Sequence, residues 1–500
     1  MKRILKSITS RKIAVAINIL VQLLIVFFLI MYFDNAFVYY YAVASGISIL
    51  FGVIVINKKI NSGYKIAWLL LLLLFPVFGL TIFILLEGSW YTKRTKRKML
   101  SITERIKDGL GQREDVEIED SYARKQSKYI SDFAYSPPVR NTKSKYFSCG
   151  EEYFESLLKD LKSAEKSIFV EYFIIKESRM WEEIRAVLVE KAKDGVDVRV
   201  IYDDFGSIDK ISKKQIRTLS QSGVKIKPFN PFIPAISLML NYRDHRKICT
   251  IDTKIAYSGG VNLGDEYINE EKRFGHWKDS GIALYGEGAY SFEVFFLTLW
   301  EYITKDKQTL VKPKYEKTGE GIYQPYTDSP IDNEAVGANV YMNIISQAQK
   351  YVYISTPYFV VNEEMLSNIC NAAKSGVDVR IVVPHIPDKK IVNQATKSYY
   401  SHLIRSDVKV YEYKHGFNHS KIVVSDDVIA TVGSVNFDFR SFYLSFECGV
   451  WMYNSPTVKD VLADYNSLLN ESIKITLEDC RVSPVTRVFR GLIAGFAPLF

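Results

Sequence analysis

Apolar and polar positions divide the chain into three regimes. Near its start, residues 13–33, 35–57 and 66–86 carry no charged side chain. Each approaches the ~20 residues that a helix needs to cross a bilayer. The first run is too long, and the second follows it too closely, for a cleaved secretory signal. The pattern predicts an α-helical membrane segment over 1–90 with two or three spanning helices. Residues 91–140 are charged and weakly periodic, with Pro137-Pro138 near their end, and read as a basic linker. Beyond them, β-branched runs alternate with helix-like stretches: 168–175, 180–194 and 196–202, then again 352–355, 363–375 and 377–383. That alternation predicts α/β units with mixed, largely parallel strands covered on both faces by helices.

The two blocks are copies of each other. Residues 164–170 (AEKSIFV) are echoed by 348–354 (AQKYVYI), and Gly195-Val196-Asp197-Val198-Arg199 recurs unchanged at 376–380. An internal repeat fixes architecture early. The expected fold class is therefore α/β and duplicated. It has two pseudo-symmetric halves, 141–312 and 331–480, a polar connection over 313–330 and an apolar tail over 481–500 that docks on the domain or on a bilayer.

Charge refines this picture in two ways. The excess of basic over acidic residues, +9, suits an anionic partner, whether nucleic acid, a phospholipid surface or a phosphorylated substrate. Its distribution near the apolar runs bears on topology. Lys2, Arg3, Lys6, Arg11 and Lys12 favour a cytoplasmic start, and Lys58, Lys59 and Lys65 return the second loop to that side. A third full crossing would put Lys93, Arg94, Lys96, Arg97 and Lys98 outside, unless 66–86 turns back at Phe75-Pro76 and Gly79 as a re-entrant hairpin. The five cysteines, Cys149, Cys249, Cys370, Cys448 and Cys480, form no Cys-x-x-Cys pair and suggest neither a disulfide framework nor a zinc site.

Two histidines stand in one frame. His245-Arg246-Lys247 leads to Asp252 and then to Gly259-Gly260-Val261-Asn262. His419-Ser420-Lys421 leads to Asp426 and then to Gly433-Ser434-Val435-Asn436. One such frame is weak evidence, but two at the same place in an internal duplication are not coincidence. On an extended segment, residues i and i+2 face the same side, so each His-x-Lys projects an imidazole and an ammonium together. Two histidines, two lysines and the Asn262 and Asn436 amides around one pocket suit a phosphodiester. Cations and amides hold the non-bridging oxygens, one histidine attacks phosphorus and the other protonates the leaving oxygen. No metal or other cofactor is expected. Asp252 and Asp426 complete the frame and are grouped with its catalytic residues. Their odd spacing from the histidines nevertheless favours a structural contact on the opposite face. Asp279 and Glu447 are better placed to orient the imidazoles.

These frames resemble the paired HKD signatures of the phospholipase D superfamily, over roughly residues 145–480. Glu171-Tyr172-Phe173, Tyr202-Asp203-Asp204-Phe205-Gly206, Asn241-Tyr242-Arg243-Asp244, Thr356-Pro357-Tyr358-Phe359 and residues 436–442 (NFDFRSF) are similar to stretches of bacterial cardiolipin synthases, as are Trp68 and the run through Phe75-Pro76-Val77-Phe78-Gly79. The resemblance implies two phospholipase D-like halves and a multi-pass protein of the cell membrane. It implies transfer of a phosphatidyl group between two phosphatidylglycerol molecules, giving cardiolipin and glycerol. His245 would carry the phosphatidyl group and His419 would move the proton, an order that the residues alone leave open. A phospholipase D-type hydrolase or another phosphatidyltransferase would use the same residues. A nuclease of the same superfamily fits less well with three apolar segments, so nucleic acid is not an expected partner.

Overall fold

The structure is a computed structural model and describes residues 24, 27–28, 36–58, 60–87, 89–107, 116–231, 242–316 and 319–499. Nearly all of the first apolar segment, the basic residues ahead of it, Lys59 and Asn241 lie outside the described residues. The chain divides into two compact units. One holds the residues up to Arg94; the other holds Thr95–Asn230 and Tyr242–Pro498.

In the first unit, helix Ala36–Asn57 has no charged side chain. Its stretch Tyr39–Asn57 is the one helix among the described residues long and apolar enough to cross a membrane. The third apolar segment does not form a second such helix. Helix Ser62–Leu74 stops at Phe75, and a new helix runs over Pro76–Glu87. Proline disfavours helical backbone at the residue before it, and Phe75 leaves the helical region at φ −131°, ψ 68°. The chain then reverses tightly: a Cβ on Gly79 would lie 2.3 Å from the Leu71 carbonyl oxygen. Ser48 Oγ donates to the Pro76 carbonyl at 2.9 Å, and the Trp68 and Phe83 rings pack edge to face at 5.0 Å. The segment is a helical hairpin, so the described residues do not support the expected multi-pass arrangement.

The second unit contains two large sheets and two small two-stranded ones. The strands of the first half are β1 (Thr142–Phe147), β2 (Ser167–Tyr172), β3 (Asp197–Asp203), β4 (Lys225–Phe229), β5 (Arg243–Asp244), β6 (Lys247–Ile251), β7 (Ile255–Gly259), β8 (His276–Lys278) and β9 (Gly281–Gly286). Seven of them form a sheet in the order β1-β9-β7-β6-β2-β3-β4. The second half supplies β10 (Ile322–Asp328), β11 (Tyr351–Ser355), β12 (Phe359–Val360), β13 (Asp378–Pro384), β14 (Lys409–Tyr413), β15 (Gly416–Asn418), β16 (Ile422–Ser425), β17 (Ile429–Gly433), β18 (Phe437–Asp438), β19 (Ser445–Tyr453) and β20 (Ser472–Lys474). Its main order is β10-β19-β17-β16-β11-β13-β14-β20. The repeat is exact in register: Ser167 pairs with Asp197 across β2 and β3, and Tyr351 with Asp378 across β11 and β13.

Both large sheets are mixed; their parallel part is β2-β3-β4 in one, and β11-β13-β14 with the short β5-β19 pairing in the other. The motif strands enter as hairpins, β6-β7 and β16-β17, and a short turn can join strands only antiparallel. One face of each sheet contributes to a shared apolar core, with Ile248, Ala256 and Ile282 from one half and Ile422, Val432 and Val450 from the other. The opposite faces pack on the helices of their own half, such as Arg179–Lys193 and Glu363–Lys374.

The expected connecting segments carry secondary structure of their own. The expected connection over 313–330 contains β10, which pairs along β19 inside the second sheet. The expected linker over 91–140 holds helices Ser89–Lys107 and Ser121–Phe133; Ile118, Ala123 and Ile130 join the core of the second half. The tail over 481–500 contains helix Pro484–Phe496. The five cysteines are free thiols, and Cys249, Cys370 and Cys448 are buried.

Candidate active site

The site is assembled by two short parallel pairings between the halves. Just before the first motif histidine, β5 pairs with the start of β19, Arg243 opposite Ser445 and Asp244 opposite Phe446. The His245 backbone N–H donates to the Phe446 carbonyl at 2.9 Å, which brings the next residue, Glu447, under the ring. Just before the second histidine, β15 pairs with β8, Asn418 opposite Lys278. The His419 N–H donates to the Lys278 carbonyl at 2.7 Å, and Asp279 follows.

The result is an exchange. His245 Nδ1 lies 2.9 and 3.0 Å from the two Glu447 carboxylate oxygens, and His419 Nδ1 lies 2.7 Å from Asp279 Oδ2. Each imidazole is therefore oriented by a carboxylate of the other half. A carboxylate on Nδ1 fixes the tautomer with Nε2 free to react and stabilises the imidazolium. Glu447 also accepts from the Ser434 hydroxyl, and Asp279 from the Trp277 indole at 3.2 Å and the Ser280 N–H at 2.9 Å. Gly260 occupies the position equivalent to Ser434. A Cβ there would lie 2.1 Å from Asp279 Oδ1, so the shorter carboxylate sits where only glycine leaves room.

Lys247 and Lys421 are fully buried, and each Nζ donates to the carbonyl of its own motif histidine, in keeping with the shared face of i and i+2. Burial lowers Lys247 to about 8 and Lys421 to about 7. Burial, with Lys247 beside it, holds His245 well below its ordinary value. Burial and Lys421 lower His419 to about 4, against the pull of Asp279. Burial lifts Glu447 to about 7, opposed by Lys247 and Ser434. Asp279 is buried too, yet His419 and its hydrogen bonds hold it below the usual carboxylate range.

Both histidines line a cavity of about 670 Å³ together with Asn262 and Asn436. Asn262 is tied into the wall, its Oδ1 accepting from the Ile174 N–H and its Nδ2 donating to the Tyr267 hydroxyl, each at 3.0 Å. Asn436 Nδ2 donates to Asp438 at 3.1 Å, while its buried Oδ1 has no hydrogen-bond partner among the described residues. Phe173, Tyr267, Trp277, Tyr358 and Phe417 line the same cavity, as do Arg243, Arg273, Lys389 and Arg440. Glu266, Asp388 and Asp438 line it too, so cations exceed carboxylates; aromatic walls with this excess suit a molecule that is part apolar and part anionic.

The motif aspartates are not in this cavity, which corrects their grouping with the catalytic residues. Asp252 and Asp426 start the turns of the β6-β7 and β16-β17 hairpins with φ +53° and +54°. Aspartate tolerates this left-handed backbone better than most residues. Asp252 accepts from the N–H groups of Glu165, Lys166 and Ser167, and Asp426 from those of Gln349, Lys350 and Tyr351, at 2.7–2.9 Å. They pin the incoming end of β2 and β11.

Two supports have no role assigned from sequence. Asp203 is buried and accepts from the Gly206 and Asp244 N–H groups, at 2.8 and 3.0 Å, fixing the approach to His245. Arg246, between the motif His and Lys, faces the other way and pairs with buried Glu171 at 2.7 Å. The alternation of a strand signals that Arg246 leaves the reactive face; only the fold gives its partner.

Known proteins resemble this chain along most of its length. A family model described as "Cardiolipin synthase, PLD-like domain" matches residues 157–274 and 341–469, one stretch in each half. An uncharacterized protein of Streptococcus mutans is 40% identical over 452 residues, covering 89% of this chain and 98% of that protein. A cardiolipin synthase of a Geobacillus species is 35% identical, covering 89% of this chain and 90% of its own. The crystal structure of phosphatidylserine synthase from Haemophilus influenzae shares the fold, with a TM-score of 0.58 at 14% identity over 75% of this chain and 98% of that one. By these relatives and its paired motifs, the chain belongs to the bacterial cardiolipin synthase family of the phospholipase D superfamily.

Proposed function

We propose that the protein is a phosphatidyltransferase that joins two phosphatidylglycerol molecules into cardiolipin and releases glycerol. The observation that carries this reading is the pair of histidines in one cavity, each backed by a carboxylate from the opposite half. In the first step, His245 Nε2 attacks the phosphorus of one phosphatidylglycerol. The bond from phosphorus to the glycerol oxygen breaks, and His419 gives that oxygen a proton. In the second step, neutral His419 takes the proton from a glycerol hydroxyl of another phosphatidylglycerol. The freed oxygen attacks phosphorus, the phosphorus–nitrogen bond breaks and His245 is restored.

Electrostatics supports this order of roles. A nucleophile must be neutral, and burial with Lys247 and Lys421 nearby holds His245 well below its ordinary value. An acid must carry a proton, and the ionised Asp279 favours one on His419. A phosphodiester monoanion entering the cavity favours the charged form of both lysines and of the acid, His419. Lys247 and Lys421 hold the phosphate charge as it develops. Every step exchanges one phosphodiester or phosphoramidate bond for another, so no nucleotide is consumed. Helix Tyr39–Asn57 anchors the chain in the membrane that holds both substrates.

The full chain, incubated with phosphatidylglycerol and a chelator, is expected to yield cardiolipin and glycerol in equal amounts. Phosphatidic acid as the sole product would make it a hydrolase instead. Denaturing the enzyme early in turnover is expected to trap radiolabelled phosphatidyl on wild type and on no His245→Ala chain.

A further inference from the structure

Helix Pro484–Phe496 presents its apolar residues outward. Val485, Val488, Phe489 and Leu492, at i, i+3, i+4 and i+7, are 79%, 63%, 52% and 58% exposed. A helix on the surface of a soluble domain does the reverse and turns its apolar stripe to the core. The other face of this helix is already committed. It packs along helix Lys390–Arg405, and Arg490 Nε donates to Gln394 Oε1 at 2.9 Å. Residues 481–500 contain Arg481, Arg487 and Arg490 and no acidic residue. Ile386 and Ile391, beside Lys389 and Lys390 at the start of the neighbouring helix, are exposed as well. Directly after the helix, Ala497 lines the catalytic cavity.

The geometry points to Pro484–Phe496 as an interfacial helix, its apolar stripe lying in the headgroup layer of an anionic bilayer beside the opening of the catalytic cavity. The inference rests on the lipid-substrate reading above. Three observations select a bilayer over other occupants. A stripe of four apolar side chains flanked by arginines matches helices that lie in the plane of a membrane surface. A segment with only positive charge attracts anionic phospholipid and disfavours a second copy of itself. The helix leads at its end, through buried Ala497, into the lining of a cavity whose substrate must bring its headgroup in while its acyl chains stay in an apolar medium. The helix therefore sets the height of the cavity over the lipid it draws on.

Two measurements on the full chain test this. The first places a photo-crosslinking phenylalanine analogue at position 489 in vesicles containing phosphatidylglycerol. Crosslinks to lipid are expected; crosslinks to another copy or another protein, or none, would overturn the inference. The second compares wild type with a chain carrying Val488→Glu and Phe489→Glu. On phosphatidylglycerol in vesicles, KM is expected to rise roughly ten-fold or more. On dibutyryl phosphatidylglycerol below its micelle concentration, turnover is expected to stay within about two-fold, which also reports correct folding. Unchanged KM on vesicles, or an equal loss on both substrates, would refute an interfacial role. Wild type that makes no cardiolipin would sink the functional reading, while lipid crosslinking at 489 would still decide this one.

Discussion

Each histidine Nδ1 is held by a carboxylate of the opposite half, so Glu447 and Asp279 are the informative single changes. Glu447→Gln and Asp279→Asn keep size and shape but remove the charge that favours the imidazolium. Each is expected to lower kcat roughly 10²- to 10⁴-fold, by analogy with the orienting carboxylate of other His-dependent sites. Phosphatidylglycerol turnover beside a thermal melt checks this; a loss of less than about three-fold would remove that carboxylate from the mechanism. The lysines predict a pH dependence whose sign follows from their lowered values. Lys421 and Lys247, at about 7 and about 8, lose their charge as pH rises, and an uncharged site captures a phosphodiester poorly. The profile of kcat/KM, which reports the free enzyme, is expected to fall across pH 7 to 8. It should level off below about pH 6, where both lysines carry their charge. The profile of kcat should fall later, since bound phosphate raises both lysines. A kcat/KM that stays flat up to about pH 9.5 would show that lysine charge does not govern capture.

At the scale of elements, the two motif hairpins separate structural from chemical residues. Asp252→Ala leaves three backbone N–H groups at the start of β2 without their carboxylate acceptor. A loss of roughly 1–3 kcal/mol in urea unfolding is expected, with kcat of the folded protein near wild type. A large fall in kcat with unchanged stability would return Asp252 to the catalytic set. Much of this level was legible in the sequence. The apolar runs and the repeat marked β2, β3, β11, β13 and the helices between them, and strand parity put Lys247 beside His245 and Asp252 elsewhere. The exchange of carboxylates was not legible. It depends on β5 and β8, strands of two and three residues whose partners lie far along the chain, and no local pattern encodes so short a pairing. Strand β10 was hidden because Gln324, Pro325 and Thr327 interrupt its apolar pattern; its pairing to β19 comes from tertiary context. The break at Phe75 was legible as Pro76, and tight packing at Gly79 shows why the second helix turns back.

At the scale of the whole molecule, the two halves behave as one catalytic body. A fragment ending at residue 316 has His245 and Asp279 but lacks His419 and Glu447, and a fragment starting at 319 has the complementary set. Each also exposes its side of the core shared by Ile248, Ile282, Ile422 and Val450. Neither fragment alone is expected to form cardiolipin. Co-expressed in one membrane, they are expected to recover activity to within about ten-fold of the intact chain, because the shared core and both short strand pairings can re-form without a covalent link. Pseudo-symmetry raises a sharper question, whether one half could pair with a second copy of itself. Gly260 and Ser434 argue that it could not do so productively. The first half pairs glycine with a short carboxylate, and the second pairs a serine hydroxyl with a longer one. Gly260→Ser, which copies the second half into the first, would drive a Cβ into Asp279 and tilt it from His419. Activity is expected to fall by about 10²-fold or more while the protein stays folded. Full activity in that variant, or in one fragment alone, would mean that the halves are interchangeable and that the pairing of each histidine with its own carboxylate is not what the reaction requires.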